Sequence, residues 1–307
     1  MHAERLWGFA EGIEITLEGN PSSVEAANYA ALAQAGINRV SLGLQSLDDA
    51  ALRFLGRLHD AAEGLTALEV AQQHFARVSF DLIYALPGQT PAQWQAQLSR
   101  ALGFGTGHLS LYQLTIEPGT KFASMVRQNE FTPLDDDAAA DLFELTRQLT
   151  EAAGLPVYEI SNHARLGQES RHNLTYWRYQ DYCGIGPGAH GRRGGLATVR
   201  HRKPENWQAA VADKGDGLAE ERRLSSGEQA SEALLMGLRL REGVDLAGLS
   251  ARFGFGASEL LNQGKVGFYT AQGLLWQKPG KIGVTSQGMP LLDALLGELV
   301  SAELVAS

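Results

Sequence analysis

The sequence is almost free of cysteine, and this scarcity excludes two kinds of site. Of 307 residues, only Cys183 carries a thiol. One thiol cannot form an internal disulfide, and it cannot supply the several thiolates that hold an iron-sulfur cluster. We therefore expect no cluster ligands from the residues of this chain. We expect Cys183 to act as a small packing residue rather than as a metal ligand.

Long apolar runs and excess positive charge are also lacking. No stretch approaches the roughly 18 consecutive apolar residues of a membrane span, and the opening MHAERLWGFAEG lacks the apolar run of a signal peptide. The net charge of -9 would repel nucleic acid and anionic membrane surfaces. We therefore expect a cytoplasmic globular protein without stable membrane insertion and without a nucleic-acid partner.

The first 160 residues alternate between β-branched runs and capped helical segments. Strands are predicted around Ile13 to Leu17 and in NRVSLGLQ, RVSFDLIYALPG, HLSLYQLTIE and VYEIS. Helix starts are indicated by Ser22 with Glu25, Asp60 with Glu63, Thr90 with Pro91 and Gln93, and the acidic run Asp135 to Asp137. Strands separated by helices predict an α/β domain whose parallel sheet is covered by helices.

The remaining sequence predicts a connecting segment and a small second domain. Residues 162–225 are rich in Gly, Arg and aromatic residues and read as irregular. Helical periodicity returns at the capping box of Ser225 and Glu228, and a hairpin is predicted at Pro279-Gly280 before a last helix. We therefore expect three segments, 1–161, 162–225 and 226–307, the last with a winged-helix-like fold. Its six Lys or Arg against eight acidic residues disfavour DNA binding.

Polar residues end the predicted strands of the first segment. Glu18, Gln45, Asp81 and Gln113 each fall at or near such an end. Ligands of parallel α/β folds bind at the carboxyl ends of the strands, so these residues are expected to line one pocket. Carboxylates and amides suit a hydroxyl-rich or amino-acid-like ligand. The alternative is that they are only strand-end caps and turn formers.

Three motifs carry a resemblance to a known family. ITLEGNP, RVSLGLQSLDDAALRFLGRLH and VSFDLIYALPGQT, with their spacing, resemble the middle of the oxygen-independent coproporphyrinogen III oxidase family of radical-SAM proteins. The resemblance covers nearly the whole chain and implies a truncated radical-SAM-type (β/α) partial barrel. It also implies that Glu18, Gln45, Arg57 and Asp81 contact S-adenosylmethionine. A carboxylate and an amide can bind ribose hydroxyls, and Arg57 can pair with the methionine carboxylate; without the motif, Arg57 would be a solvated helix arginine.

A fourth motif indicates one branch of that family. HNLTYW, residues 172–177, resembles the HNxxYW motif of the HemW haem-chaperone branch of that family. The resemblance implies that His172 contacts haem or ligates its iron, and that Tyr176 and Trp177 offer aromatic faces to the macrocycle. His190, in GAHG, is a second candidate. The alternative for His172 is a hydrogen-bonded loop histidine.

A basic, glycine-containing segment follows this motif. Between positions 165 and 203 there are eight Lys or Arg and two acidic residues. Such a segment suits the propionates of a porphyrin or another anionic ligand, or it is a solvated arginine-rich loop. Gly184, Gly186 and Gly188 either let the backbone approach a flat or anionic ligand or serve the loop itself.

The cluster-binding part of the family is missing from the sequence. The family's CxxxCxxC loop, which holds a [4Fe-4S] cluster, and the glycine-rich strand after it have no counterpart. The strand near Ile13 would then be a sheet edge open to pairing, as in a homodimer. Either the natural chain is longer than this sequence, or the chain is a degenerate homologue whose barrel is closed otherwise, for example by a second copy. We favour the first, because the retained pocket residues have no evident use without a cluster.

Three functions are compatible with these features. The leading hypothesis is a haem-binding protein that hands haem to an acceptor protein. The alternative is radical-SAM oxidation of a porphyrinogen, which would need the missing cluster segment. The third is a non-catalytic interaction role. Whether the chain is an enzyme is left open by the sequence.

Overall fold

The computed structural model describes residues 2–22, 26–301 and 304. The chain divides into two compact units, unit 1 with residues 1–169 and unit 2 with residues 170–307. The capping box predicted at Ser22 and Glu25 includes a position outside the described residues.

Unit 1 is built on a six-stranded sheet in the order β1-β2-β3-β4-β6-β5. The first four strands are parallel. The strands are β1 (Thr16–Gly19), β2 (Arg39–Gln45), β3 (Arg77–Tyr84), β4 (His108–Gln113), β5 (Val157–Glu159) and β6 (Asn162–Ala164). The helices described in this unit are α1 (His2–Trp7), α2 (Tyr29–Gln34), α3 (Asp49–Phe54), α4 (Ala61–His74), α5 (Pro91–Leu102), α6 (Lys121–Arg127) and α7 (Asp136–Ala152). The predicted α/β domain with a mainly parallel sheet is confirmed.

The last strand pair departs from the predicted alternation. β6 runs antiparallel to β4, and β5 runs antiparallel to β6. Only residues 160 and 161 separate β5 from β6, and a parallel connection needs a crossover of a dozen or more residues. The VYEIS strand therefore lies at the sheet edge as half of a hairpin, not as a further parallel strand.

The helices of unit 1 begin where the capping signals predicted. Asp60 and Glu63 form a reciprocal capping box at α4, and Thr90 and Gln93 form another at α5, with Pro91 in its first turn. The Asp135 side chain accepts a hydrogen bond from the backbone amide of Ala138 at the start of α7. These contacts satisfy amide groups that the first helical turn leaves without partners.

The two faces of this sheet differ in chemistry because neighbouring residues of a strand point to opposite sides. One face is apolar and packs under helices, with a core that includes Val40, Leu42, Leu44, Phe80, Leu82, Leu109 and Leu111. The opposite face carries polar residues that pair across strands, Ser41 with Ser79 and Asp81 with Ser110. Two candidate residues belong to this polar face, Asp81 itself and Glu18, which is in register with Ser41.

Unit 2 contains two small antiparallel sheets and several helices. One sheet, in the order β7-β8-β9, contains β7 (His190–Arg193), β8 (Leu196–Arg200) and β9 (Leu218–Arg223). The other, in the order β10-β12-β11, contains β10 (Val244–Asp245), β11 (Leu275–Lys278) and β12 (Lys281–Val284). The helices described here are α8 (Arg171–Trp177), α9 (Pro204–Lys214), α10 (Ser226–Gly237), α11 (Leu246–Phe253), α12 (Ala257–Leu260), α13 (Gln263–Ala271) and α14 (Leu292–Leu299).

Two sequence predictions for unit 2 have opposite outcomes. The hairpin at Pro279-Gly280 is confirmed, since these two residues join β11 to β12. The irregular structure predicted for residues 162–225 is wrong, because the segment contains the β7-β8-β9 sheet. Its short strands carry charged residues on both faces, as in the LAEERR of β9, so they lack the alternation that identifies a strand. In the described part of the chain, no helix is long and apolar enough to cross a membrane.

Candidate functional site

Asp81 is the central carboxylate on the polar face of unit 1. The hydroxyl of Ser41 donates to its Oδ1 over 3.4 Å, and Ser110 lies beside it on β4. Burial raises the pKa of Asp81 to about 6; the Ser110 hydroxyl lowers this pKa and the negative charge of Glu18 raises it. Asp81 and Glu18 are therefore close enough to repel each other. Sequence reasoning missed Ser41 and Ser110, although polar alternation in RVSLGLQ and HLSLYQ could have indicated them.

Gln45 ends β2 in a conformation that few residues other than glycine adopt. It is buried and has a φ of 67°, a backbone conformation that often marks functional sites. A Cβ at Gly43 would lie 2.9 Å from Gln45 Nε2, so the amide occupies space that any larger residue at position 43 would take. Glu18, Gln45 and Asp81 thus lie on three adjacent strands of one sheet.

Arg57 and Gln113 differ in their surroundings. The Nε of Arg57 is buried and has no hydrogen-bond partner among the described residues, so the guanidinium keeps a donor for a ligand. Gln113, in contrast, lies opposite Tyr84 on the helix-covered side and donates through Nε2 to the carbonyl of Ala139 over 2.7 Å. The expectation that Gln113 lines the pocket is wrong.

A cavity of about 800 Å³ lies beyond β2 and β3. Its lining includes Ser46 and Leu47 after β2, Leu86 and Pro87 after β3, and Phe54 of α3. Clefts of this size hold small-molecule ligands. The cavity therefore lies beyond the carboxyl ends of β2 and β3, and its lining does not include Gln45 or Asp81.

The HNLTYW motif forms helix α8, and its residues point to two different surfaces. The His172 and Tyr176 rings meet edge to face with centroids 4.7 Å apart, as positions four apart on a helix allow. Trp177 instead lines a cavity of about 260 Å³ with Gly237 and Val244. The structure therefore brings His172 and Tyr176 together and places Trp177 on another side of α8.

The second histidine candidate, His190, begins β7 and is exposed. Arg192 pairs with Tyr182 through an antiparallel bridge. Because every second residue of a strand shares a face, His190 lies on the same face as Arg192 and Tyr182. His190 therefore belongs to the surface that continues from Tyr182.

Two glycines, Gly184 of this loop and Gly191 of β7, allow close packing within unit 2. A Cβ on Gly184 would lie 2.0 Å from the carbonyl oxygen of His190, and one on Gly191 would lie 2.6 Å from the Thr198 hydroxyl. This close backbone approach favours the structural alternative for Gly184. Cys183, expected to pack, is exposed, so that prediction is wrong; it follows Tyr182, and alternation turns it to the opposite face.

Part of the basic segment is used within unit 2. Arg178 forms two hydrogen bonds with Glu242, of 2.8 and 2.9 Å. Arg192 is buried, with a nitrogen 3.7 Å from Glu232, and Arg200 donates through Nε to the carbonyl of Gly184. In unit 2, the exposed basic residues that remain for an anionic ligand include Arg193, Arg202 and Lys203.

The residues present do not fit an iron-sulfur cluster. Across residues 2–22, 26–301 and 304, no group of three or more His, Cys, Asp or Glu side chains could hold a metal ion. Cys183, the one cysteine of the sequence, cannot supply three thiolates. The residues of this sequence therefore cannot by themselves hold the cluster that radical-SAM redox chemistry requires.

A mainly parallel six-stranded sheet with this polar face, followed by a unit with two small antiparallel sheets, is the architecture of a radical-SAM-type α/β protein. Residues 1–99 match the Radical SAM superfamily, and residues 224–291 match the HemN C-terminal domain. The solved structure of coproporphyrinogen III oxidase (HemN) from Escherichia coli has the same fold, with a TM-score of 0.78 and 19% identity. The similarity covers 94% of this chain and 70% of that one.

Comparison with curated relatives identifies the family within the radical-SAM superfamily. "Heme chaperone HemW" of Bacillus subtilis is 33% identical over 93% of this chain and 76% of its own length. The Haemophilus influenzae protein of the same name is 35% identical over 96% and 76%. The chain belongs to the HemW family. The mouse "Radical S-adenosyl methionine domain-containing protein 1, mitochondrial" is 41% identical over 92% of this chain, which spans 66% of that relative.

Proposed function

We propose that this protein binds haem at the surface of unit 2 that carries His172 and Tyr176, and hands it to an acceptor protein. The carrying observation is that His172 is exposed on α8 with its ring held against Tyr176. An exposed imidazole is accessible to iron, and an adjacent aromatic ring can pack on a macrocycle. The name of the bacterial relatives, heme chaperone, supports the same role.

A haem titration of the purified protein tests this proposal. Haem should give a shifted Soret band, and His172→Ala should weaken haem binding by about tenfold or more, because an iron ligand is lost. His201→Ala, which removes another histidine of unit 2, is the matched control and should leave affinity unchanged. A wild-type protein without a Soret shift would refute haem binding. Unchanged affinity in His172→Ala would move the iron ligand to His190.

We further propose that unit 1 holds S-adenosylmethionine through Glu18, Gln45, Asp81 and Arg57. The first three lie on adjacent strands and offer acceptors and an amide for ribose hydroxyls. Arg57 keeps a buried Nε without a hydrogen bond to the described residues, which suits a ligand carboxylate. In this proposal the four residues bind and orient S-adenosylmethionine, and no cleavage of the bound molecule follows from them.

The alternative function is oxidation of a porphyrinogen, favoured by the polar pocket residues of unit 1. It requires cluster ligands that this sequence lacks. After iron-sulfide reconstitution, the protein of this sequence should therefore leave S-adenosylmethionine intact; cleavage would contradict the reasoning from its single cysteine.

Two further proposals concern the cellular location of the protein and its assembly into a homodimer. A cytoplasmic location is the expectation from the sequence, whereas the mouse relative carries the word mitochondrial in its name. β1 forms one edge of the described sheet, so a homodimer would pair through this strand.

A further inference from the structure

We propose that Tyr182 is a third haem-contacting residue, which lies outside the HNxxYW motif and extends the aromatic surface begun by His172 and Tyr176. The inference rests on the proposed haem-binding function. The Tyr182 ring meets the Tyr176 ring edge to face, with centroids 4.6 Å apart and planes at 79°. Together with the 4.7 Å contact of His172 and Tyr176, this makes one continuous row of three rings.

Tyr182 is also held in place by contacts with Arg192. Its backbone exchanges two hydrogen bonds with Arg192, of 2.7 and 2.9 Å. The Arg192 guanidinium lies 5.4 Å from the Tyr182 ring centroid and 3.4 Å from that of Tyr179. Arg192 is in turn held near Glu232. A ring fixed in this way can contact a ligand without losing much side-chain freedom on binding.

Internal packing alone does not account for Tyr182. Tyr179, three residues earlier, shows what a structural tyrosine looks like in this unit: it is 1% exposed and its hydroxyl donates to Glu232 over 2.6 Å. Tyr182 is only half-buried, and its hydroxyl makes no hydrogen bond to any described residue. Part of the ring and its hydroxyl therefore remain at the surface.

The surroundings of Tyr182 suit a flat, apolar ligand whose metal ion can bind imidazole. Ile185, three residues further along the loop, is 72% exposed, which is uncommon for a large aliphatic side chain. His190 lies on the same face of the sheet as Tyr182. An iron porphyrin combines these properties, with an aromatic macrocycle and an iron that binds imidazole.

A haem titration of two Tyr182 variants and one control tests the assignment. Tyr182→Leu should bind haem about tenfold more weakly with the Soret position unchanged, because an aromatic contact is lost while iron ligation is kept. Tyr182→Phe should bind within about twofold of the wild type, because the hydroxyl has no partner. Tyr269→Leu removes a half-buried tyrosine of α13 and should leave haem affinity unchanged. Wild-type affinity in Tyr182→Leu would overturn the assignment and leave the role of His172 standing.

A measurement on the unmodified protein covers the case in which Tyr182→Leu does not fold. Tetranitromethane nitrates accessible tyrosines, and peptide mass spectrometry locates each product. Bound haem should slow nitration of Tyr182 at least threefold and leave Tyr269 unaffected. Equal nitration of Tyr182 with and without bound haem would overturn the assignment. A wild-type protein that binds no haem would overturn both this inference and the proposed function.

Discussion

Replacing Asp81 with asparagine should stabilise unit 1 at neutral pH. Asp81 lies on the polar face of β3 in an environment that raises its pKa to about 6, chiefly through burial, with Glu18 adding repulsion. A raised pKa means that the folded state penalises the charged carboxylate. Asparagine has nearly the same shape, carries no charge and keeps an oxygen that can accept from the Ser41 hydroxyl.

The size of this stabilisation and its pH dependence follow from the raised pKa of Asp81. A pKa raised from the usual 3.8 to about 6 corresponds to about 3 kcal/mol at pH values above 6, since one pH unit equals about 1.4 kcal/mol. Partial exposure of Asp81 reduces this to about 1–2 kcal/mol. Because the folded state binds its proton more tightly, Asp81 favours folding at low pH and loses that contribution as pH rises from about 4 through 6. The advantage of Asp81→Asn should thus be complete at pH 7.5 and about half as large at pH 5.

Urea denaturation at these two pH values is the assay, with hydrogen exchange of β3 identifying the transition of unit 1. Asp141→Asn, a change of the same kind at an exposed position of α7, should leave stability within about 0.5 kcal/mol of the wild type. A variant Asp81→Asn that is less stable than the wild type at pH 7.5 would refute the reasoning. A stabilisation by Asp81→Asn that increases as the pH falls would also refute it.

Two further substitutions test contacts within the units. Thr146→Val should destabilise unit 1 by about 1–3 kcal/mol in urea denaturation, because buried Trp94 Nε1 donates to Thr146 Oγ1 over 2.8 Å and would lose its partner. Thr66→Val, on the exposed side of α4, is the control. Equal destabilisation by the two substitutions would contradict this explanation. Gly184→Ala should destabilise unit 2 by about 2 kcal/mol or more, because its Cβ would meet the His190 carbonyl oxygen. Gly267→Ala, whose Cβ meets no atom within 4 Å, should be neutral or stabilising, and a neutral Gly184→Ala would show that the loop can shift.

The sequence predicted the elements of unit 1 well, because alternation and capping are local signals. Asp60 with Glu63 and Thr90 with Pro91 marked helix starts that the structure has. The direction in which side chains point at strand ends was harder to predict from the sequence. Gln113 falls in register with Tyr84 on the helix-covered face, so its position at a strand end did not make it a pocket residue.

The unit 2 site was predictable in part. Helical spacing places His172 and Tyr176 on one side of α8, and the same geometry turns Trp177 by about 100°. The approach of Tyr182 to Tyr176 was not predictable, because the chain between them turns through Tyr179 with a positive φ of 52°. Such a conformation is rare for tyrosine and depends on the surrounding packing.

The exposed Cys183 gives this protein a single site for attaching a spectroscopic label. It is the sole cysteine of the sequence, and its neighbour in the chain is Tyr182. A maleimide fluorophore or a nitroxide spin label would attach at one defined place without any mutation. Haem quenches fluorescence over tens of ångströms, so the labelled protein would report both the arrival of haem and its departure to an acceptor in real time.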